Sequence, residues 1–273
     1  MMNNLQIVKT KEDAYTLGFA WADGHLNKKY SFRIQINKKD ADDLYDTFMK
    51  FEDFNIYDKT YKHTKTPTWQ DSRLFYKTNK QKYMILEEHG FRDKSTCPHD
   101  SILELIPNQF RYLFWRGLFD GDGNVYIRPN YNLGQISIAS SYEQDWSAVC
   151  ELFDSLDIKH SIKHQISGKN KSSCIRVVEL RSISLFFKYI YPDSYDDIGL
   201  YRKYDKLEKL HIFQKEKEDM ELVRVNFIKD NSFIMMKKDI CKSLCISNEM
   251  LSRIIKQYSI DTPPRNYWHN KSI

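Results

Sequence analysis

Trp115-Arg116-Gly117-Leu118-Phe119-Asp120-Gly121-Asp122-Gly123 reads as the end of an apolar helix with small residues at Gly117 and Gly121, four apart. Residues at that spacing share one helix face, and a face of small residues lets a second backbone approach closely. The helix stops at Asp122-Gly123, since Gly is the usual helix terminator, and a carboxylate is left at its tip. The pattern recurs upstream as Thr16-Leu17-Gly18-Phe19-Ala20-Trp21-Ala22-Asp23-Gly24. Gly18 and Ala22 are again small and four apart, and Asp23-Gly24 again ends the run. Asp23 and Asp122 stand 99 residues apart, about one small domain, which marks an internal repeat. Packing the two small faces together would bring both carboxylates to one point, where such a pair can hold a hard divalent cation.

Two nonamers of this kind at this spacing resemble the two motifs of a single-chain LAGLIDADG homing endonuclease. The second carries both acids, Asp120 and Asp122. The first matches at Gly18, Ala22, Asp23 and Gly24 but has Trp21 where the family's name has its first Asp, a departure that touches packing more than chemistry. The resemblance covers roughly residues 13–215 and implies an α+β fold. Two pseudo-symmetric α-β-β-α-β-β-α subdomains with saddle-shaped antiparallel sheets would form a monomer with an internal pseudo-twofold axis. It implies hydrolysis of one phosphodiester on each strand of double-stranded DNA, as in a mobile genetic element's homing nuclease. Asp23 and Asp122, with the backbone carbonyls of Ala22 and Gly121, would be the ligands of a shared Mg²⁺ or Mn²⁺, cations suited to an oxygen-only site. Lys94, in Phe91-Arg92-Asp93-Lys94-Ser95, and Lys203, in Leu200-Tyr201-Arg202-Lys203-Tyr204, match the family's lysines that reach back to the scissile phosphate; they follow their acids by 71 and 81 residues. The plainer reading of both is surface lysines in a Lys-rich chain. Gln35, counted with the catalytic residues, and Ser137 occupy aligned outward strand positions and could order water.

The intervening pattern is consistent with the repeat. Asp13 is read as the N-cap of the first motif helix. In the strand Ser31–Asn37, Phe32, Ile34 and Ile36 alternate with Arg33, Gln35 and Asn37. Residues 40–51 read as an amphipathic helix with Leu44, Phe48 and Phe51 on its stripe, followed by strands near 55–63 and 71–78 and a helix at 79–89. The second half repeats the order with a strand at 134–139, a helix at 142–156, strands at 158–166 and 173–181, and a helix at 182–190. The expected divisions are a first subdomain over 1–95, a linker over 96–108, a second subdomain over 109–218, and a helical extension over 219–273.

That extension looks like a helix-turn-helix. Ile240 and Leu244 pack inward, Ile246 is the turn hydrophobe, and Ser247 caps a second helix bearing Leu251, Ile254 and Ile255. Cys245 stands where the turn Gly is usual, and the plainer alternative is a two-helix tail. As a DNA reader, its second helix would place Asn248, Glu249, Ser252 and Arg253 near base edges or phosphates. DNA reading by the sheets would fall to Arg33, Gln35, Asn37, Lys59, Tyr61, Arg73 and Lys77 in the first half. In the second it would fall to Tyr126, Arg128, Gln135, Ser137, Lys159, Lys163, Glu179 and Arg181. Arg, Gln and Asn have the donor geometry for G and A edges, and two sheets end to end would cover roughly 50 Å, on the order of 15 bp.

Composition sets wider limits. With 273 residues and 41% hydrophobic content, the chain can bury a sizeable core. A net charge of +5 and a pI near 8.7 are compatible with nucleic acid and equally with an ordinary solvated surface. The five Cys residues are odd in number and form no CxxC pair, so free thiols are expected rather than a disulfide frame or zinc site. His160 and His164 would lie about 13 Å apart along a strand, better suited to packing than to a shared metal. No apolar run reaches membrane-spanning length, and no signal h-region or intein junction is evident. The expectation is therefore an intracellular protein of a bacterial or phage-host cytoplasm or an organelle matrix, without a membrane partner. Two rival functions stay open: a DNA-binding transcriptional regulator that does not cut, and an RNA maturase assisting intron splicing. The retained acids and lysines favour cutting, because a pure binder needs neither.

Overall fold

The computed structural model describes residues 6–60, 71–128, 133–168, 170–264 and 267. Tyr61 and the end of the strand expected near 55–63 lie outside them. The chain divides into two compact units, Met1–His211 and Ile212–Ile273.

The first unit contains the repeat. Its first half runs α1 (Lys11–Asp23), β1 (Gly24–Leu26), β2 (Ser31–Asn37), α2 (Lys38–Asp43), α3 (Tyr45–Phe51), β3 (Asn55–Lys59), β4 (Ser72–Thr78) and α4 (Lys80–Glu88). A connection with the short helix α5 (Asp100–Leu103) leads to α6 (Arg111–Asp122), β5 (Gly123–Arg128), β6 (Leu133–Ser141), α7 (Ser147–Ser155), β7 (Ser161–Ser167), β8 (Asn170–Val177) and α8 (Leu180–Ile190). Each half holds a four-stranded antiparallel sheet, ordered β1-β2-β4-β3 and β5-β6-β8-β7. The fold is α+β with repeated α-β-β-α-β-β units followed by C-terminal helices. The core of the first half is dominated by aromatic rings: Phe32 stacks on Tyr83 with centroids 5.1 Å apart, and Phe48 meets Phe75 edge-on at 5.2 Å.

Several local readings are corrected. Thr10, not Asp13, caps α1: its hydroxyl accepts from Asp13 N, and Asp13 returns a carboxylate to Thr10 N at 2.9 Å. Asp13 is thus the third residue of a capping box. The expected helix over 40–51 breaks at Leu44 into α2 and α3, with Leu44, Phe48 and Phe51 buried as read. Helix α7 begins at Ser147 rather than residue 142. The connection between the halves is partly built into the core, with His99, Ile102, Leu103 and Ile106 all buried.

Strand register also changes the alignment of the repeat. Gly24 pairs with Ile34 and its equivalent Gly123 with Ile138. Ile34 and Ile138 are therefore equivalent, and Gln35 corresponds to Ala139, not to Ser137, whose counterpart is Arg33.

The second unit begins within α9 (Tyr201–Asn231), which continues from the first, and adds α10 (Lys237–Leu244) and α11 (Asn248–Gln257). Val225, Ile228, Ile240, Leu251, Ile254 and Ile260 form its core, with Leu244, Ile246 and Ile255 packed against it. Among the described residues no helix is long and apolar enough to cross a membrane.

Candidate active site

The site is built where α1 and α6 pack. A Cβ on Gly18 would overlap the Phe114 carbonyl, and one on Gly117 the Tyr15 carbonyl. Only glycine permits this approach, which brings the two helix ends and their terminal acids together. Gly24 and Gly123 end the helices in extended backbone, φ −81° for both. They are required for space rather than for a left-handed turn, because a Cβ would overlap Ala20 O at one and Phe119 O at the other.

Asp23 is exposed at its helix tip and Asp122 half-buried. Loss of hydration against the packed helix ends, followed by the charge of Asp23, raises the Asp122 carboxyl to about 6. The same loss of hydration raises Asp23, opposed by Lys94 and Lys203. Two carboxylates that resist ionising together form a corner that favours a cation. Among the described residues no three His, Cys, Asp or Glu side chains gather as a metal-binding group. The donor set is two carboxylates and backbone oxygens, which suits a hard cation that keeps waters or substrate oxygens in its remaining positions.

Lys94 and Lys203 are both directed at these helix ends. Lys94 Nζ donates to the carbonyls of Ala20, Ala22 and Gly24 at 3.1, 2.8 and 2.6 Å. Lys203, 4% exposed, donates to Phe119, Asp120 and Gly123 at 2.8, 2.6 and 2.6 Å. Helix C-termini carry orphan carbonyls and partial negative charge, so a lysine there satisfies both. Burial lowers both ammonium groups to about 8, against the pull of Asp122 on Lys94 and of Asp120 on Lys203. The reading of either as a plain surface lysine does not fit these contacts. The Ala22 carbonyl, expected among the metal ligands, already accepts from Lys94. Beside Lys203, Arg202 grips Asp40 through two hydrogen bonds of 2.9 and 2.7 Å.

Trp21 and Asp120 occupy equivalent positions. Trp21 lies against Phe91, His99 and Phe114, with ring centroids 5.9, 5.7 and 6.5 Å away. Burial holds His99 down to about 4, so this imidazole is neutral at physiological pH. Asp120 instead accepts from Tyr15 OH and Leu200 N, each at 2.8 Å. Neither His99 nor the Asp120 environment was legible in the sequence. Trp21, Ala22, Lys94, His99, Asp122 and Gln144 line part of a cleft of about 230 Å³ beside the helix ends.

Arg33 and Gln35 lie exposed on the outward face of the first sheet, and Gln35 donates to Ser72 Oγ at 3.1 Å. Lys59 is directly opposite Ser72 on that face. Asn37 accepts from Asp40 N at 2.9 Å as the cap of α2. Arg73 and Lys77 are corrections: they sit opposite Ile36 and Phe32, on the helix-covered face, because directly paired residues share a face. Arg73 is held by Asp58 and Asp42, both at 2.6 Å, and Lys77 lies 3.6 Å from Asp53. Tyr57, Leu74 and Tyr76 take the outward positions instead. On the second sheet Tyr126, Arg128, Gln135, Ser137 and Lys163 share the outward face. They are joined by Arg176, which sequence reasoning missed and which donates to Gln135. Lys159 precedes β7 and pairs with Glu179, the residue before α8, at 3.3 Å. Arg181 lies on α8, 3.2 Å from Asp157. Neither belongs to a sheet face. His160 also precedes β7, and His164 packs on Tyr142, so the two do not form a pair.

In the second unit Cys245 adopts the left-handed conformation at φ 51°, and Ser247 caps α11 by accepting from Met250 N at 3.2 Å. A non-glycine residue supplies the turn between the two helices. Asn248, Ser252 and Arg253 lie on α11, and Asn248 accepts from Cys241 Sγ at 3.3 Å.

No curated protein matches the chain. Among solved structures it is similar to the I-LtrWI LAGLIDADG homing endonuclease bound to target DNA, at 14% identity over 90% of this chain and 96% of that one, TM-score 0.46. It is similar to I-SmaMI bound to cleaved DNA at 13% identity, over 77% and 91%, TM-score 0.46. The N-terminal LAGLIDADG domain of DUF199/WhiA is 16% identical over 68% and 86%, TM-score 0.43. Residues 109–191 match the family model of the LAGLIDADG-like domain, so this stretch of α6 through α8 is LAGLIDADG-like, and the same order of elements recurs in the first half of the chain.

Proposed function

We propose that this protein is a site-specific DNA endonuclease that makes a double-strand break in a long, asymmetric target. One observation carries the reading: two symmetry-related helix ends bring Asp23 and Asp122 together with two inward-reaching lysines. A structural helix pair needs small faces but gains nothing from crowding two acids at its tip. Asp23 and Asp122, with the carbonyl oxygens of Ala22 and Gly121, would hold Mg²⁺ or Mn²⁺. Such an ion, when bound, neutralises phosphate charge and makes water more acidic. Lys94 and Lys203 keep positive charge beside the scissile phosphates, offsetting the charge that grows during in-line attack. Arg33, Gln35, Tyr126, Arg128 and Lys163 present donors and aromatic surface from the outward sheet faces to a DNA groove. The α10–α11 pair adds a tethered second DNA contact that raises affinity through effective concentration.

The test is incubation of the purified protein with a library of long duplexes in Mg²⁺ or EDTA. Metal-dependent breaks at one position are expected. A second reading, a regulator that binds without cutting, draws on the α10–α11 turn and Ser247 cap. Specific retention with no break in either buffer would select it.

A further inference from the structure

The outward faces of the two sheets share one feature and differ in another. Among the described strand positions neither outward face carries an Asp or Glu, in a chain that holds 37 of them. The cations there are Arg33 and Lys59 on the first sheet, and Arg128, Lys163 and Arg176 on the second. Faces without acids fit a polyanion. What differs is where the long polar side chains stand. Strands β1 and β5 leave directly from the acid-bearing helix ends, so β2 and β6 lie nearer the acids, with β4 and β3, or β8 and β7, farther out. Because Ile34 and Ile138 are equivalent, pairing makes Phe75 the counterpart of Ile175, and Ile56 that of Ile162.

On the inner strands Arg33 and Gln35 therefore correspond to Ser137 and Ala139. On the outer strands Leu74, Tyr76 and Tyr57 correspond to Cys174, Arg176 and Lys163. The first sheet has long donors inside and an apolar outer surface, where Tyr57 is 59% exposed. The second has short side chains inside and cations outside. We infer that the two halves of the target are read by different chemistry: thymine methyls at the outer base pairs under the first sheet, guanines at the outer base pairs under the second. Leu74 has no hydrogen-bonding group in its side chain, and in a major groove the thymine C5-methyl is the apolar feature it can cover. Tyr57, paired directly with Leu74, extends the same patch. Arg176 and Lys163 have the donors for guanine O6 and N7. Nearer the acids, Arg33 and Gln35 are long enough for base edges while Ser137 and Ala139 are short, so the inner base pairs of the second half are read loosely. This inference deepens the DNA-cutting reading above and rests on it.

The experiment is selection of duplexes from a random library by the full-length protein in EDTA, so that binding is read without cutting. The recovered sites should carry thymine at the outer positions of one half and guanine at those of the other. Arg33→Ala, which relaxes the inner positions of one half only, identifies the half under the first sheet. Replacing its outer thymines by uracil removes nothing but methyl groups and should weaken binding about fourfold each. Uracil in the other half should change binding less than about twofold. Leu74→Ala should weaken binding to the thymine duplex by a similar factor and to the uracil duplex hardly at all. Arg176→Ala should relax the guanine preference at one position by about tenfold or more. A specific site whose halves respond equally to uracil, or Leu74→Ala weakening both duplexes alike, would overturn the inference and leave the DNA reading standing. Failure of the wild-type protein to enrich any sequence would overturn the DNA reading itself, and this inference with it.

Discussion

The surroundings of Trp21 and Asp120 show one backbone arrangement carrying two chemistries. Trp21 meets Phe114 across the helix pair and Phe91 from the segment leading to Lys94. Asp120 meets the equivalents of those residues, Tyr15 and Leu200, through hydrogen bonds from a hydroxyl and a backbone amide. The indole packs among rings and the carboxylate takes both its donors on Oδ2, while Trp21 Nε1 and Asp120 Oδ1 are each left buried without a hydrogen-bond partner. The repeat conserves positions and lets the contacts at each position change as a set. A carboxylate alone in an aromatic box, or an indole facing an unpaired amide, would be costly.

The comparison can be broken most violently where the halves are alike. Gly18→Val would drive a branched side chain into the Phe114 carbonyl, and Gly117→Val the same into Tyr15. Thermal or denaturant unfolding should show a loss of about 4 kcal/mol or more, or no folded protein. Tolerance at either position would mean the helices can part, and the acids with them.

Where the halves differ, the effects should be unequal. Trp21→Asp places a carboxylate beside Phe91, Phe114 and the neutral His99, and about 3 kcal/mol should be lost. Tyr15→Phe removes one of two donors to Asp120 and should cost about 1 kcal/mol. Equal losses would show that the two environments are not specialised.

The raised Asp122 carboxyl gives a pH test. Its folded value of about 6 lies above the ordinary 3.8, so the folded chain binds the proton more tightly, and the penalty of ionisation is fully present above pH 6. In EDTA, Asp122→Asn should be more stable than wild type near pH 7 by on the order of 1 kcal/mol, after allowance for solvent screening. The gap should close as pH falls from about 6 toward 4. A gap that widens on acidification would mean that lysine pairing, not the neighbouring acid and lost hydration, dominates at Asp122. The smallest effect belongs to the second unit: Arg253→Ala should weaken DNA binding a few-fold and reduce its salt dependence. Unchanged affinity would remove α11 from the DNA contact.

The helix pair was legible because glycine spacing and the terminal acids are local signals, and β2 was legible because Phe32, Ile34 and Ile36 alternate strictly. The faces of β4 were not. Ser72–Thr78 places Leu74 and Tyr76 outward and Arg73 and Lys77 on the helix side, and only pairing with β2 fixes that. The same dependence on pairing shifted the counterpart of Gln35 to Ala139. Lys94 and Lys203 were visible as residues, but their seats on helix-end carbonyls depend on where two separate segments return. Trp21 was noticed as a departure, while its box required His99 from the connecting segment.

Parallel cutting and binding assays of wild type and Asp122→Asn, on the duplex recovered from the library and in Mg²⁺, test the central claim most directly. The account predicts that Asp122→Asn loses cutting by at least about a thousandfold, typical of removing a group that acts in the transition state, and binds within a few-fold of wild type. Cutting that persists in Asp122→Asn, or binding lost in proportion to cutting, would contradict it and make Asp122 a structural residue.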